Sequence, residues 1–339
     1  MNKRRLCSAL IISIFLVLTS CAFAKESGTI FFVDAPKIDG EWTRMLMKQD
    51  ISTMEVEDIC LADFYLIDGF AQTSGVFAAR EKSENGKTEV LYIREDGEIQ
   101  LMYEISDPML LQVFAMHGDN VYYVRQTQNK EYCCEFVRMS INGDAFVYPY
   151  SAYQECYCPV SDEDFWAGWY DTSDSDPIKW EDKTYETQSV TFSKNGYMAY
   201  EAFRDGYYNQ KGALLDRYID IMDPEGNIIC IGKGECPVWM NEDTLLYLSD
   251  DDFLFKYSLQ EGTAKPHLTQ KGKKIEIFPM SYESYFSVSK DGKTFVCMLA
   301  LDLGGSKAMV FNLETGKKYR LKNMNPATIA DREKVYFGT

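Results

Sequence analysis

The chain has 339 residues, 46% of them hydrophobic and 14% aromatic, and a formal net charge of −17. This length allows one large domain or two small ones around a sizeable core, and the composition excludes a disordered chain or a polytopic membrane protein. The negative charge repels phosphate backbones and anionic lipid, so no nucleic-acid partner is expected and the membrane is reached only through a covalent anchor.

Residues 1–24 read as an export signal. Lys3, Arg4 and Arg5 are followed by an apolar run from Leu6 to Leu18, too short for a comfortable membrane span. Two cleavage patterns overlap after it. Ala22-Phe23-Ala24 before Lys25 suits ordinary signal peptidase, whereas Leu18-Thr19-Ser20-Cys21 is a lipobox in which Cys21 is acylated. The mature chain is therefore expected outside the cytoplasm, as a cell-surface or periplasmic lipoprotein or a secreted protein, with residues 25–339 as a single domain. Eight cysteines remain beyond the signal: Cys60, Cys133, Cys134, Cys156, Cys158, Cys230, Cys236 and Cys297. Their spacing matches no zinc pattern, and both disulfides and small buried thiols stay open.

A weak repeat runs through the rest. An apolar strand end meets a polar turn, and an aromatic-rich strand follows. Phe192-Ser193-Lys194-Asn195-Gly196 leads into Tyr197 to Tyr200, and Val288-Ser289-Lys290-Asp291-Gly292 leads into Lys293 to Val296. Asn-Gly and Asp-Gly between alternating apolar runs predict hairpins. Looser copies begin near Ala62, Met116, Ser161, Met240 and Ala330, at intervals close to the ~40–50 residues of a four-stranded propeller blade. A second hairpin in most repeats turns at Gly40, Gly97, Gly143, Gly226, Gly262 or Gly316. The fold class expected is all-β: a β-propeller of seven blades, or six if the short third repeat merges with a neighbour. The last repeat stops after two strands, so residues 28–48 are expected to pair with 326–338 and close the ring. Ala213 to Ile221 is the best helix candidate, although it reads as well as loop then strand.

The turns at Ser193 to Gly196 and Ser289 to Gly292 resemble those of TolB-like, WD40-like β-propeller repeats, which often read Ser-Pro-Asp-Gly; Lys replaces Pro here. The resemblance covers most of residues 28–339. TolB itself carries an extra N-terminal domain, for which these repeats leave no room.

Catalytic residue types are sparse. His117 and His267 are the only histidines, and both read as solvated turn residues. No Gly-x-Ser-x-Gly elbow, phosphate loop or dinucleotide fingerprint is present, so no cofactor is expected. The acidic clusters at Asp171, Asp174 and Asp176 and at Asp250, Asp251 and Asp252 read as solvated loop charges rather than a metal site. In a propeller, the loop between the second and third strands of each blade opens on one face beside the channel. Two consecutive repeats have enriched loops there. The first holds Trp169, Asp171, Asp174 and Trp180; the second, from Phe203 to Arg217, holds Arg204, Tyr207, Tyr208 and Arg217. Exposed aromatics beside polar groups suit sugar or peptide recognition, and blade packing is the plainer reading of the same residues.

The leading reading is a non-enzymatic, exported propeller that binds a protein, peptide or glycan at the cell envelope. The alternative is a glycan hydrolase or lyase using carboxylates and tyrosines at the channel, marked by an Asp/Glu pair ~5–10 Å apart beside a pocket.

Overall fold

The computed structural model describes residues 29–34, 36–38, 41–70, 75–82, 86–126, 134–148, 178–179, 190–209, 212–277, 286–289, 291–300, 306–320 and 336–337. The export signal, with Cys21, lies outside them. Every element among the described residues is a strand, so no helix there is long and apolar enough to cross a membrane.

Among the described residues, the strands form six four-stranded antiparallel units, beside a separate pair, Lys37–Ile38 with Glu41–Trp42. In the first, Tyr336–Phe337 lies beside Thr29–Asp34, followed by Met45–Asp50 and Val56–Leu61. The second holds Tyr65–Phe70, Gly75–Lys82, Lys87–Arg94 and Ile99–Ile105. The third holds Leu110–His117, Asn120–Gln126, Cys134–Ser140 and Ala145–Val147. Val190–Phe192, Met198–Asn209, Gly212–Met222 and Ile228–Lys233 make the fourth. Glu235–Trp239, Thr244–Leu248, Leu254–Ser258 and Thr263–Pro266 make the fifth. The sixth is Phe286–Val288, Thr294–Ala300, Ser306–Asn312 and Lys318–Arg320. The first strands of the second and third units also pair in parallel, from Ala115 with Asp68 to His117 with Phe70. The helix candidate at Ala213 to Ile221 is strand, within Gly212–Met222.

The turns form for local reasons. Gly196 sits at φ +86° and Gly292 at φ +67°, a region that residues with a Cβ enter at a cost. Each glycine donates its N–H to the carbonyl of the turn's serine, Ser193 at 3.0 Å and Ser289 at 2.8 Å. Each serine hydroxyl then accepts an N–H from the returning strand, that of Tyr197 at 3.0 Å and of Thr294 at 2.9 Å.

Alternation along each strand supplies two apolar faces, and stacking buries both. Met198, Tyr200 and Met222 of the fourth unit pack on Tyr122, Phe136 and Tyr148 beside the third. Ala199, Ile219 and Ile221, on the opposite face, pack on Trp239, Leu245 and Tyr247 of the fifth. The same holds between first and second (Phe31, Val33 and Leu46 with Leu66, Ala78 and Ile93), second and third (Phe77 and Tyr92 with Val113 and Val137), and fifth and sixth (Leu246 and Leu254 with Phe295 and Phe311). A sixth cluster joins Val296 and Val310 of the last unit to Ile30, Phe32 and Ile51 at the start of the chain. The third and fourth units touch directly: the rings of Tyr122 and Phe192 stack at 4.6 Å, and the Tyr148 hydroxyl donates to the Gly196 carbonyl at 2.8 Å. The repeat expected near Ser161 lies outside the described residues.

Both histidines depart from expectation. His117 is 1% exposed, and its Nε2 lies 2.7 Å from the Phe192 carbonyl of the next unit. His267 is half-buried, with Nε2 3.0 Å from the Leu313 carbonyl of the sixth. Each ties one sheet to its neighbour rather than facing water. Strand periodicity does not reveal this, because the partner carbonyls lie 75 and 46 residues away.

Candidate functional site

The segment expected as a loop from Phe203 to Arg217 is mostly strand. Met198–Asn209 and Gly212–Met222 run antiparallel far past the three-residue first strand of their unit, Val190–Phe192. Phe203 pairs with Arg217 and Arg204 with Asp216; a bulge intervenes before Tyr207 pairs with Leu214 and Tyr208 with Ala213. Tyrosine and phenylalanine on the first arm and leucine, tyrosine and isoleucine on the second suit the pairing, and Asn209 pairs with Gly212 at its far end. On its other edge, Tyr207 pairs with Lys179 and Tyr208 with Ile178. A stretch of backbone from the first expected loop thus adds a third strand to the hairpin. Trp169, Asp171, Asp174 and Trp180 lie outside the described residues.

Arg217, at the base of this hairpin, lines a cleft of about 250 Å³ with Lys233, Gly234, Glu235, Ser249, Asp250 and Asp252. The cleft opens between the fourth and fifth units. Gly234 lets the chain cross there: a Cβ would lie 2.5 Å from the Leu248 carbonyl and 2.7 Å from the Tyr247 ring. The Ser249–Asp252 turn brings in the remaining acids, with Asp252 at φ +62° and its N–H donating to the Ser249 carbonyl at 3.0 Å.

Charge organises the floor. The Arg217 guanidinium hydrogen-bonds Glu235 and lies 4.0 Å from Glu201 Oε2. Glu201 is 2% exposed, and its Oε1 accepts the Cys236 N–H at 2.7 Å. Burial pushes the Glu235 carboxyl above its ordinary range; Arg217 opposes the rise and Asp252 adds to it. Burial raises Asp252 likewise, with Asp251 adding repulsion. The Cys236 thiol, buried beside Glu201 and Glu235, is pushed well up and stays protonated. The cleft is thus a polar recess with cations at its base and edge, a carboxylate surplus on its walls, and no cluster of metal-ligating residues among the described residues.

Of the residues expected in a site, Arg217 lines this cleft, whereas Arg204, Tyr207 and Tyr208 lie farther along the hairpin. Glu235, Lys233 and Ser249 escaped the sequence reading, and Asp250 and Asp252 entered it only as solvated charges. The Gly232-Lys233-Gly234-Glu235-Cys236-Pro237 run was the available signal, since glycines and proline around charged residues mark a constrained crossing.

No family model matches the chain, and no curated protein does. Its fold is that of the TolB-like β-propellers. TolB from Acinetobacter baumannii superposes with a TM-score of 0.51 at 8% identity, over 96% of this chain and 69% of that one. Apo AztD from Citrobacter koseri matches 93% of this chain and 99% of its own at 9% identity, with a TM-score of 0.41. At such identities the likeness is one of fold alone.

Proposed function

We propose that this chain is an exported, six-bladed β-propeller that binds a protein, peptide or glycan at the cell envelope without catalysing a reaction. Six blades rather than seven are supported by the six interfaces, each joining consecutive units, and by the direct packing of the third unit on the fourth. Ring closure is supported by the pairing of Ile30 with Phe337 and Phe31 with Tyr336. Export rests on the basic, apolar and small-residue pattern of residues 1–24, with Cys21 as the acylation site if the lipobox is used.

The observation that carries the binding role is the cleft at the base of the projecting hairpin. It joins a recess with charged walls to an arm bearing Tyr207 and Tyr208. The test is a screen of the immobilised protein against peptide and glycan arrays. Two variants follow, Lys233→Ala/Asp250→Ala in the cleft and Tyr207→Ala/Tyr208→Ala on the hairpin. A ligand bound here should lose ~2 kcal/mol or more of affinity in at least one of them, with unchanged melting. A ligand that binds both variants as it binds the wild type sits elsewhere, and the proposal fails.

A hydrolase or lyase reading has one observation in its favour, the raised pKa of Glu235, as a general acid would need. Against it, Arg217 engages Glu235 and approaches Glu201, holding the two carboxylates as partners of one cation. Glycan turnover abolished by Glu235→Gln would overturn the non-enzymatic assignment.

A further inference from the structure

The overall charge of the chain hides a local reversal. Between Leu268 and Lys274 the chain makes a small hairpin, bridged from Leu268 to Lys274 and turned at Gly272, φ +70°. It abuts the turn that precedes the last strand of the sixth unit. The Gln270 N–H donates to the Glu314 carbonyl at 2.7 Å, Gln270 Nε2 donates to the Glu314 carboxylate at 3.1 Å, and His267 Nε2 meets the Leu313 carbonyl. Two turns distant in sequence therefore share one surface. That surface carries Lys271, Lys273, Lys274, Lys317, Lys318 and Arg320, all exposed.

The carboxylates on the same two segments are Glu276 and Glu314, and Glu314 is engaged by Gln270 and, at 3.6 Å, by Lys293. Lys271, Lys273, Lys318 and Arg320 form no ion pair among the described residues, and Lys274 lies 4.6 Å over the Phe253 ring. Two large apolar side chains are exposed on the same two segments: Leu268 is 52% exposed, and Tyr319, 37% exposed, alternates with Lys318 and Arg320 along the edge strand.

We propose that this patch seats the propeller on an anionic phospholipid surface, whether or not Cys21 is acylated. Exposed lysines and arginine around a leucine and a tyrosine are the residue types of a membrane-interface contact: the cations meet headgroup phosphates and the apolar pair enters the boundary beneath them. An acidic polypeptide fits less well. Every residue from Thr315 to Arg320 is exposed, so the patch has no walls to grip a chain, and a planar charged surface needs none. The net charge does not forbid the contact. Screening confines electrostatics to about 8 Å at physiological salt, so a lipid surface at the patch meets the patch, not the whole protein.

The test is vesicle flotation of the purified protein carrying Cys21→Ser, which removes any acyl chain. Vesicles with about 30% phosphatidylglycerol in phosphatidylcholine should carry the protein upward at low salt, and phosphatidylcholine alone should not. Lys271→Glu/Lys273→Glu/Lys318→Glu/Arg320→Glu should lower the floated fraction about fivefold or more, as should raising the salt to about 0.5 M. If that variant melts early, the corresponding Gln substitutions remove charge without reversing it and should still weaken flotation. Leu268→Ser/Tyr319→Ser should weaken it with all charges kept. Absence of flotation on the anionic vesicles, equal flotation of wild type and charge variants, or capture by polyglutamate without capture by the vesicles would each overturn the proposal; the last would favour an acidic polypeptide.

Discussion

Glu201 shows how one buried side chain serves two sheets. It projects from the fourth unit, accepts the Cys236 N–H of the fifth, and shares Arg217 with Glu235. Truncation would leave a buried N–H without that acceptor and strip a partner from Arg217. Glu201→Ala should therefore cost about 3 kcal/mol in urea denaturation, and Glu201→Gln, whose amide oxygen can still accept, about half as much. His117 makes a different prediction. Burial holds its pKa below the ordinary 6.5, with Asp68 and the Phe192 carbonyl opposing, so the folded protein keeps it neutral. Below pH 6.5 the unfolded chain takes up a proton that the folded one refuses, and stability falls as pH drops towards the lower folded value; above 6.5 there is no contribution. His267, also lowered by burial, acts in the same direction. His117→Gln should thus flatten, without abolishing, the loss of urea midpoint between about pH 7 and pH 5. An unchanged slope would mean that the imidazole titrates alike in the folded and the unfolded chain.

At the scale of the element, the turns were legible and the long hairpin was not. Ser193 to Gly196 and Ser289 to Gly292 specify their own conformation through a glycine at positive φ and a serine that bonds the returning strand, all within six residues. The 203–217 segment carries Gly, Asn and Asp in a density that suits a loop, yet it pairs across almost its whole length because the arms on either side are already in register. Among the described side chains, the clusters on the two faces of the unit draw on Met198 to Ala202 and on Ile219 to Met222, at the base of the hairpin. Replacing residues 207–214 with an Asn-Gly turn should therefore move the melting temperature by only a few degrees, a surface-scale change. A collapse of the melting transition would show that the hairpin supports the fold.

At the scale of the molecule, stability is shared among interfaces that no sheet makes alone. Ile30, Phe31, Phe32 and Val33 are all buried, and the strand that carries them pairs with Tyr336–Phe337 on one side and Met45–Asp50 on the other. Deleting residues 336–339 would bare the inner edge of that strand and loosen the contact of the last unit with the first. The deletion should lower the melting temperature of the whole protein by about 10 °C or more in one cooperative transition, rather than fray one end. Unchanged calorimetric melting would sink ring closure.

Alternation of apolar residues and glycine-marked turns are local signals, so the amino-acid sequence by itself determined the strand class, the hairpins and the recurrence of a four-stranded unit. It did not determine which unit lies against which. Period two assigns a residue to a face of its strand but does not name what covers that face, and near-equivalent repeats look interchangeable until they pack. Tertiary structure alone therefore decided that His117 and His267 are interface residues, that Glu201 and Glu235 share the Arg217 cation, and that the Ser249–Asp252 turn completes their cleft. It also gathered Lys271 and Lys318 onto one surface of an acidic chain, because the field at a surface depends on which charges the fold brings within a screening length, and net charge does not record that.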